Sequence, residues 1–260
     1  MIEERIQQQL REKYNPDGSA LRNMQLQLLD ILKEFDAICQ KHHIPYWLDS
    51  GTLIGAVRHG GFVPWDDDVD VCVLKKDQKR IRQIMQQELG SSLKYMDEKV
   101  DSTYPRKWAR IVKTIDEGDT KSNIIWLDVF IMEHGNRTLY DVVNKTYGKC
   151  YRRKTGEIKE RHWMRILTFC IYPVSWLFMQ CVRYYGRCFC KDSLIFDYGG
   201  VFTSIRMTDE VFPLAQIQFE GLSFNAPRHW DIYLRRIYKD YTELPPEASR
   251  LAHGVITEIK

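Results

Sequence analysis

The sequence predicts an α/β (α+β) fold, a mixed sheet flanked by helices, with a helical apolar insertion. Three observations carry this. Apolar residues recur at helical spacing across 19–41 (Leu21, Met24, Leu28, Leu32, Phe35, Cys39). Strand-like runs, VDVCVL at 69–74 and NIIWLDVFIM at 123–132, alternate with helical ones. A stretch without a charged side chain, 166–182, then breaks the pattern.

The elements follow in order. Ile2, Ile6 and Leu10 predict a short amphipathic helix closed by NPDG at 15–18, and a second helix fills 19–41. IPYWLDSG (44–51) is a strand entering a turn at Ser50-Gly51, and TLIGAVRHG (52–60) is a short helix ending at Gly60-Gly61. The acidic strand 69–74 comes next. Asp77 is placed to cap a helix running through Leu89, which Gly90 closes. KWARIVKT (107–114) alternates as a strand with Trp108, Arg110 and Val112 on one face. After Val142 the chain turns strongly basic and leads into the apolar run 166–182. That run is short of the ~20 residues a spanning helix needs, contains Pro173 and has Arg on both flanks. It predicts a helical hairpin in a membrane interface or a buried pair of helices. The basic flank points to an anionic membrane surface; an ordinary buried insertion stays open. QFEGLSFNAP (218–227) is a hairpin turning near Gly221, and Trp230, Tyr233, Leu234 and Ile237 mark a last helix before an extended, proline-containing tail.

Composition narrows the function classes. With 44% apolar and 28% charged residues, the 260-residue chain fits a globular enzyme. A net charge of +3 makes no case for nucleic-acid binding. The start, MIEERIQQQL, lacks the apolar core of a secretory signal. Seven cysteines read as reduced thiols rather than a disulfide framework, so the expected location is cytoplasmic. Cys170, Cys181, Cys188 and Cys190 lie close in sequence but show no second pair at zinc-ligand spacing, and His42-His43 have no partner ligands at metal spacing.

The chemistry concentrates in FVPWDDDVDV (62–71), where Asp66, Asp67, Asp68 and Asp70 crowd into five positions of an apolar segment. Adjacent carboxylates repel, and burying one charge alone is costly, so an external divalent cation is the expected neutraliser. If the strand starts early enough, Asp66, Asp68 and Asp70 share a face as ligands of Mg²⁺ or Mn²⁺, and Asp67 faces away. Before it, Ser50, Gly51 and Thr52 form a strand-to-helix turn whose backbone N–H groups suit a phosphate. Asp128, a lone carboxylate between Leu127 and Val129, is the candidate third acid. Trp65 is either core or a stacking surface for a base.

FDAICQKHHIPYWLDSGTLIGAVRHGGFVPWDDDVDVCV (35–73) resembles the signature of the LicD family of phosphocholine transferase-like proteins, with fukutin and fukutin-related protein more distant, within the nucleotidyltransferase superfamily. The superfamily pattern falls on Ser50-Gly51, on Asp68 and Asp70, and on Asp128, although its turn is usually Gly first. YPRKWARI (104–111) resembles the family segment that supplies a basic residue, here Arg110, and 219–246 resembles its C-terminal element, which suggests Glu220. The resemblance implies a nucleotidyltransferase-like fold and transfer of a phosphocholine-like group from a CDP-activated donor. The acceptor would be a hydroxyl of a cell-surface glycan or its lipid-linked precursor, as in lipopolysaccharide biosynthesis. Asp68 and Asp70 would hold the metal, Asp128 would complete a second metal site or act as general base, and Arg58 and Arg110 would stabilise transition-state charge or make structural ion pairs. The implied organisation is an N-terminal helix (1–18), a catalytic core (19–141), the basic and apolar insertion (142–196) and a C-terminal part of the catalytic domain (197–260), peripheral on the inner face of the cytoplasmic membrane. A nucleotide-sugar glycosyltransferase using a D-x-D site and a non-catalytic membrane scaffold are the alternatives.

Overall fold

The computed structural model describes residues 3–115, 123–155, 158 and 162–251. Ile2, residues 156, 157 and 159–161 of the basic run, and the tail from 252 lie outside the described residues.

Helix α1 (Glu4–Tyr14) precedes α2 (Ala20–Lys41), which starts at Ser19, whose Oγ accepts the Arg22 N–H. The expected apolar stripe is the inner face of α2, with Leu28, Leu32, Phe35 and Cys39 fully buried. The chain continues through β1 (Tyr46–Leu48), α3 (Ser50–His59), β2 (Val69–Leu74), α4 (Gln78–Glu88), β3 (Leu93–Met96), β4 (Ala109–Ile115) and β5 (Asn123–His134). A helical unit follows: α5 (Arg137–Val143), a π-helical turn (Asn144–Gly148), α6 (Lys149–Lys154) and α7 (His162–Phe189). Then come β6 (Ser193–Phe196), β7 (Arg206–Met207), α8 (Thr208–Val211), the hairpin β8 (Ala215–Phe219) and β9 (Leu222–Ala226), and α9 (Trp230–Tyr238).

The main sheet runs β1-β2-β5-β4-β3, with β6 and β7 continuing from the far end of β5. Among the described residues, β2 and β5 are the one parallel pair in this sheet. This is the mixed α/β architecture expected. Side chains alternate along each strand, so one face of β4-β5-β2 presents Ala109, Ile111, Leu127, Val129, Ile131, Val69, Val71 and Val73, all buried. Helix α2 packs on this side of β5. Each of the Val, Leu and Ile side chains contributes about 1.5–3 kcal/mol on burial. The other face presents Arg110, Asp128, Phe130, Asp70 and Cys72. A one-residue register slip would send the carboxylates into the core, so hydrophobic burial fixes where the acids point.

The apolar insertion is neither a hairpin nor a helix pair: α7 is one 28-residue helix. Pro173 removes a backbone hydrogen bond, but it sits on the exposed side. On the opposite side Thr168, Ser175, Met179 and Val182 are buried on both flanks of it and hold the helix straight through. Near its end, Gly186 lies so close to β5 that a Cβ there would meet His134 O at 2.5 Å. Two further corrections are local. Asp77 precedes α4, but its side chain makes no capping hydrogen bond, and the helix ends at Glu88. The short strands β3, β6 and β7 carry too little alternation to stand out in the sequence.

Candidate active site

β2, β5, the start of α3 and the segment after α9 enclose a cleft of about 720 Å³. Ser50, Gly51, Arg58, Trp65, Asp66, Asp68, Asp70 and Asp128 all line it. Asp70 and Asp128 are partners across the parallel β2–β5 pair, and Arg110 faces Asp128 across the antiparallel β4–β5 pair. The three side chains therefore form one row. Asp128 accepts from Trp108 Nε1 at 2.7 Å and from Arg110 Nε at 2.6 Å, with Arg110 Nη2 at 3.3 Å. Arg110 in turn lies 4.1 Å above the Trp126 ring.

β2 begins at Val69, so strand alternation does not place Asp66. A turn does: Asp66 N–H donates to Val63 O (2.9 Å), and Gln25 Nε2 donates to Asp66 O (2.8 Å). The carboxylate then lies against α3, where a Cβ on Gly51 would stand 2.6 Å from Asp66 Oδ2. Any side chain at Gly51 would therefore displace the Asp66 carboxylate. Thr52 is buried and accepts the Asp70 N–H through Oγ1 (2.8 Å), tying α3 to β2 rather than reaching into the cleft. Ser50 opens α3 with φ 49°, a strained conformation of the kind stored at functional sites.

Two expected residues serve other ends. Glu220, at the β8–β9 turn, pairs with Arg22 (2.7 Å), accepts the Phe62 N–H (3.1 Å) and does not line the cleft. Arg58 lines it, but its Nη1 donates to Tyr241 O (2.8 Å) and Glu243 O (3.0 Å). It fastens the C-terminal segment as a wall of the cleft. Trp65 is both wall and core: its ring meets Tyr14 edge-on at 5.3 Å.

Sequence reasoning missed a fully buried network beneath the row. Asp49 accepts from Arg206 Nη2 (3.0 and 3.2 Å) and from the Tyr233 hydroxyl, while its N–H donates to Asp70 O (3.0 Å). Burial opposes ionisation there, yet Arg206 and Tyr233 hold the Asp49 carboxyl below its usual range. The signal was present in WLDSG, a lone acid after three apolar strand residues. Its partners lie too far along the chain to be read locally.

The front carboxylates behave in the opposite way. Burial, then the charges of Asp68 and Asp67, push Asp66 well above its ordinary range. Burial, then Asp68, Asp128, Asp66 and Asp49, push Asp70 up likewise. Asp66 Oδ1 is buried with no hydrogen-bond partner. An all-oxygen, over-charged set with an orphaned buried oxygen suits a hard divalent cation. Among the described residues no three His, Cys, Asp or Glu side chains form a finished cage. A Mg²⁺ held here would complete its shell with water and substrate phosphate oxygens.

Residues 43–165 match the family described as LicD/FKTN/FKRP, nucleotidyltransferase domain. Lipopolysaccharide cholinephosphotransferase LicD of Haemophilus influenzae is 27% identical over 261 aligned residues, covering 90% of this chain and 96% of that protein. Ribitol 5-phosphate transferase FKRP of Homo sapiens is 44% identical over 48 residues, 18% of this chain and 10% of that protein. Ribitol-5-phosphate transferase FKTN of Mus musculus is 37% identical over 60 residues, 23% of this chain and 13% of that protein. The acidic row, the Ser50-Gly51 turn and these matches lead to one conclusion: residues 43–165 match the LicD nucleotidyltransferase domain, and the chain is similar to the cholinephosphotransferase LicD along most of its length.

Proposed function

We propose that this chain transfers a substituted phosphoryl group, phosphocholine-like, from a CDP-activated donor to a hydroxyl of a glycan or its lipid-linked precursor. The observation that carries the reading is the crowding of Asp66, Asp68, Asp70 and Asp128 along one cleft, with Asp66 Oδ1 buried and unpaired, facing the first turn of α3. Asp66, Asp68 and Asp70 would hold Mg²⁺ or Mn²⁺, which when bound supplies charge neutralisation for the donor pyrophosphate. Backbone N–H groups at Gly51 and Thr52, in the first turn of α3, offer hydrogen bonds to phosphate oxygens. Asp128, oriented by Trp108 and Arg110, takes the proton of the acceptor hydroxyl. The hydroxyl oxygen bonds to the substituted phosphorus, the bond from that phosphorus to the bridging oxygen breaks, and CMP leaves. Arg110 sits where it can offset charge developing beside Asp128.

Purified protein with Mg²⁺ and a panel of CDP- and UDP-linked donors, plus a glycan acceptor, tests this. CMP release from a CDP-alcohol, lost in Asp70→Asn, is the expected result. UDP release from a UDP-sugar would replace this reading with a glycosyltransferase.

A further inference from the structure

We infer that the outer face of α7 is a docking surface for an anionic lipid bilayer, and that the helix lies in the plane of the leaflet rather than crossing it. Helix α7 is long and apolar enough to span a membrane. It is not free to do so, because one side is consumed by the protein. Thr168, Ser175, Met179 and Val182 are buried at helical spacing, and Gly186 abuts β5. Arg183 forms ion pairs with Glu133 (2.9 Å) and Asp197 (2.6 Å). The opposite side is apolar and open: Phe169 is 81% exposed, Val174 70%, Ile166 62% and Leu177 60%. A helix with one side docked and one side greasy has the form of an interfacial element.

Charge decides the occupant. Residues 142–191 hold eleven Lys and Arg against two Glu, a net +9, whereas the whole chain is only +3 and the remaining residues therefore carry −6. Of these cations, Lys145, Lys149, Lys154, Arg187 and Lys191 are exposed. A second copy would have to bring the same positive segment against itself; an anionic leaflet is the complement of both the apolar face and its basic surround. The unit also borders the cleft. Tyr140 Oη donates to Phe202 O (2.7 Å), Arg152 Nη1 donates to Gly200 O (3.2 Å), and Phe202 lines the acidic pocket. Docking would therefore bring the cleft mouth near a lipid surface, a placement that does not depend on the chemistry proposed above.

The test is sedimentation of the full chain with vesicles of phosphatidylcholine alone or with phosphatidylglycerol added. Binding should be about tenfold or more stronger with the anionic lipid and should weaken with salt. The exposed-site variant Phe169→Ser/Val174→Ser/Leu177→Ser should lose binding while keeping the wild-type melting temperature. Cys170, Cys181 and Cys188 are all exposed on α7 and allow a depth measurement. Labelled singly, they should all be quenched by shallow lipid-borne quenchers. Wild type left in the supernatant with anionic vesicles, or a triple variant that still pellets, would overturn the inference. So would a deep Cys181 between shallow ends, which marks a span, or a lipid-free dimer that the triple variant dissociates.

Discussion

Strand β5 carries one buried acid midway along it in the cleft, Asp128, and another near its C-terminal end, Glu133, and the two places are solved in opposite ways. At its far end Glu133 and the nearby Asp197 are matched by cations from the chain itself: Arg183 pairs with both, and Lys75 reaches Asp197 at 2.6 Å. Burial and the Asp197 charge push Glu133 up to about 7. Burial opposes the charge of Asp197 too, but Lys75 and Arg183 hold its carboxyl well below the ordinary range. In the cleft the acids outnumber the cations. Arg110 serves Asp128, Arg206 serves Asp49, and the titrations of Asp66 and Asp70 are driven upward by burial and then by neighbouring acids, Asp68 foremost. The comparison sets a charge cluster that is neutral by itself against one that, under the function proposed, a bound cation would complete.

Breaking the self-neutralised end should cost the most. Arg183→Met leaves two buried carboxylates without their shared cation, a loss of about 3–5 kcal/mol. A urea midpoint far below wild type is expected, with turnover per folded molecule unchanged. A variant as stable as wild type would mean that Lys75 alone neutralises the cluster. At the cleft the outcome reverses. Asp70→Asn removes a charge that nothing in the chain matches, so stability without metal should hold or rise by about 1 kcal/mol. CMP release should fall by about 100- to 1,000-fold. Loss of fold in Asp70→Asn would move this acid into the structural class.

The difference between the two places was half legible in the sequence. Asp70 and Asp128 stood out because a carboxylate in an apolar strand needs a reason, and the strand period put them on the face opposite the valines. Arg110 was reached through the family likeness. Arg183, Glu133 and Asp197 were invisible as a cluster, because an ion pair between α7 and β5 leaves no local pattern. The same contacts explain why α7 was misread. Pro173 signals a break by local rules, and the burial of Met179 and Val182 with the Arg183 pairs overrides it. Asp49 was passed over for a similar reason, since Arg206 and Tyr233 meet it only in the folded sheet.

Metal sharpens the comparison directly. If the cleft is completed by Mg²⁺, saturation at about 100 times Kd should stabilise the fold by about 2.7 kcal/mol. For a chain of this size that is roughly 5–10 °C in Tm. Thermal unfolding with Mg²⁺ against matched Na⁺ measures it. The shift should vanish in Asp70→Asn and persist in Glu133→Gln, whose cluster already has its cations. An equal shift in both variants would place the ion elsewhere.

The smallest effect comes from a third buried site, where the surplus is positive. His59 lies behind the cleft wall beside Arg58. Arg58 Nε donates to His59 Nε2 (2.9 Å), so that nitrogen must be the unprotonated acceptor, and Nδ1–H donates to Gln7 Oε1 (2.5 Å). A second proton would sit on Nε2, facing a guanidinium. Burial first, then the charges of Arg58 and Arg11, lower the imidazole to about 3. The folded value lies below the unfolded 6.5, so the unfolded chain binds this proton first. The stability that neutral His59 contributes is complete above pH 6.5 and is lost as pH falls from 6.5 towards 3, by about 1.4 kcal/mol per unit. Between pH 7.5 and 5.5 the urea midpoint of wild type should therefore drop by that single proton more than that of His59→Gln. Equal slopes would show that His59 takes its proton in the fold, and that the cleft wall tolerates a charge the cleft itself would refuse only in the opposite sign.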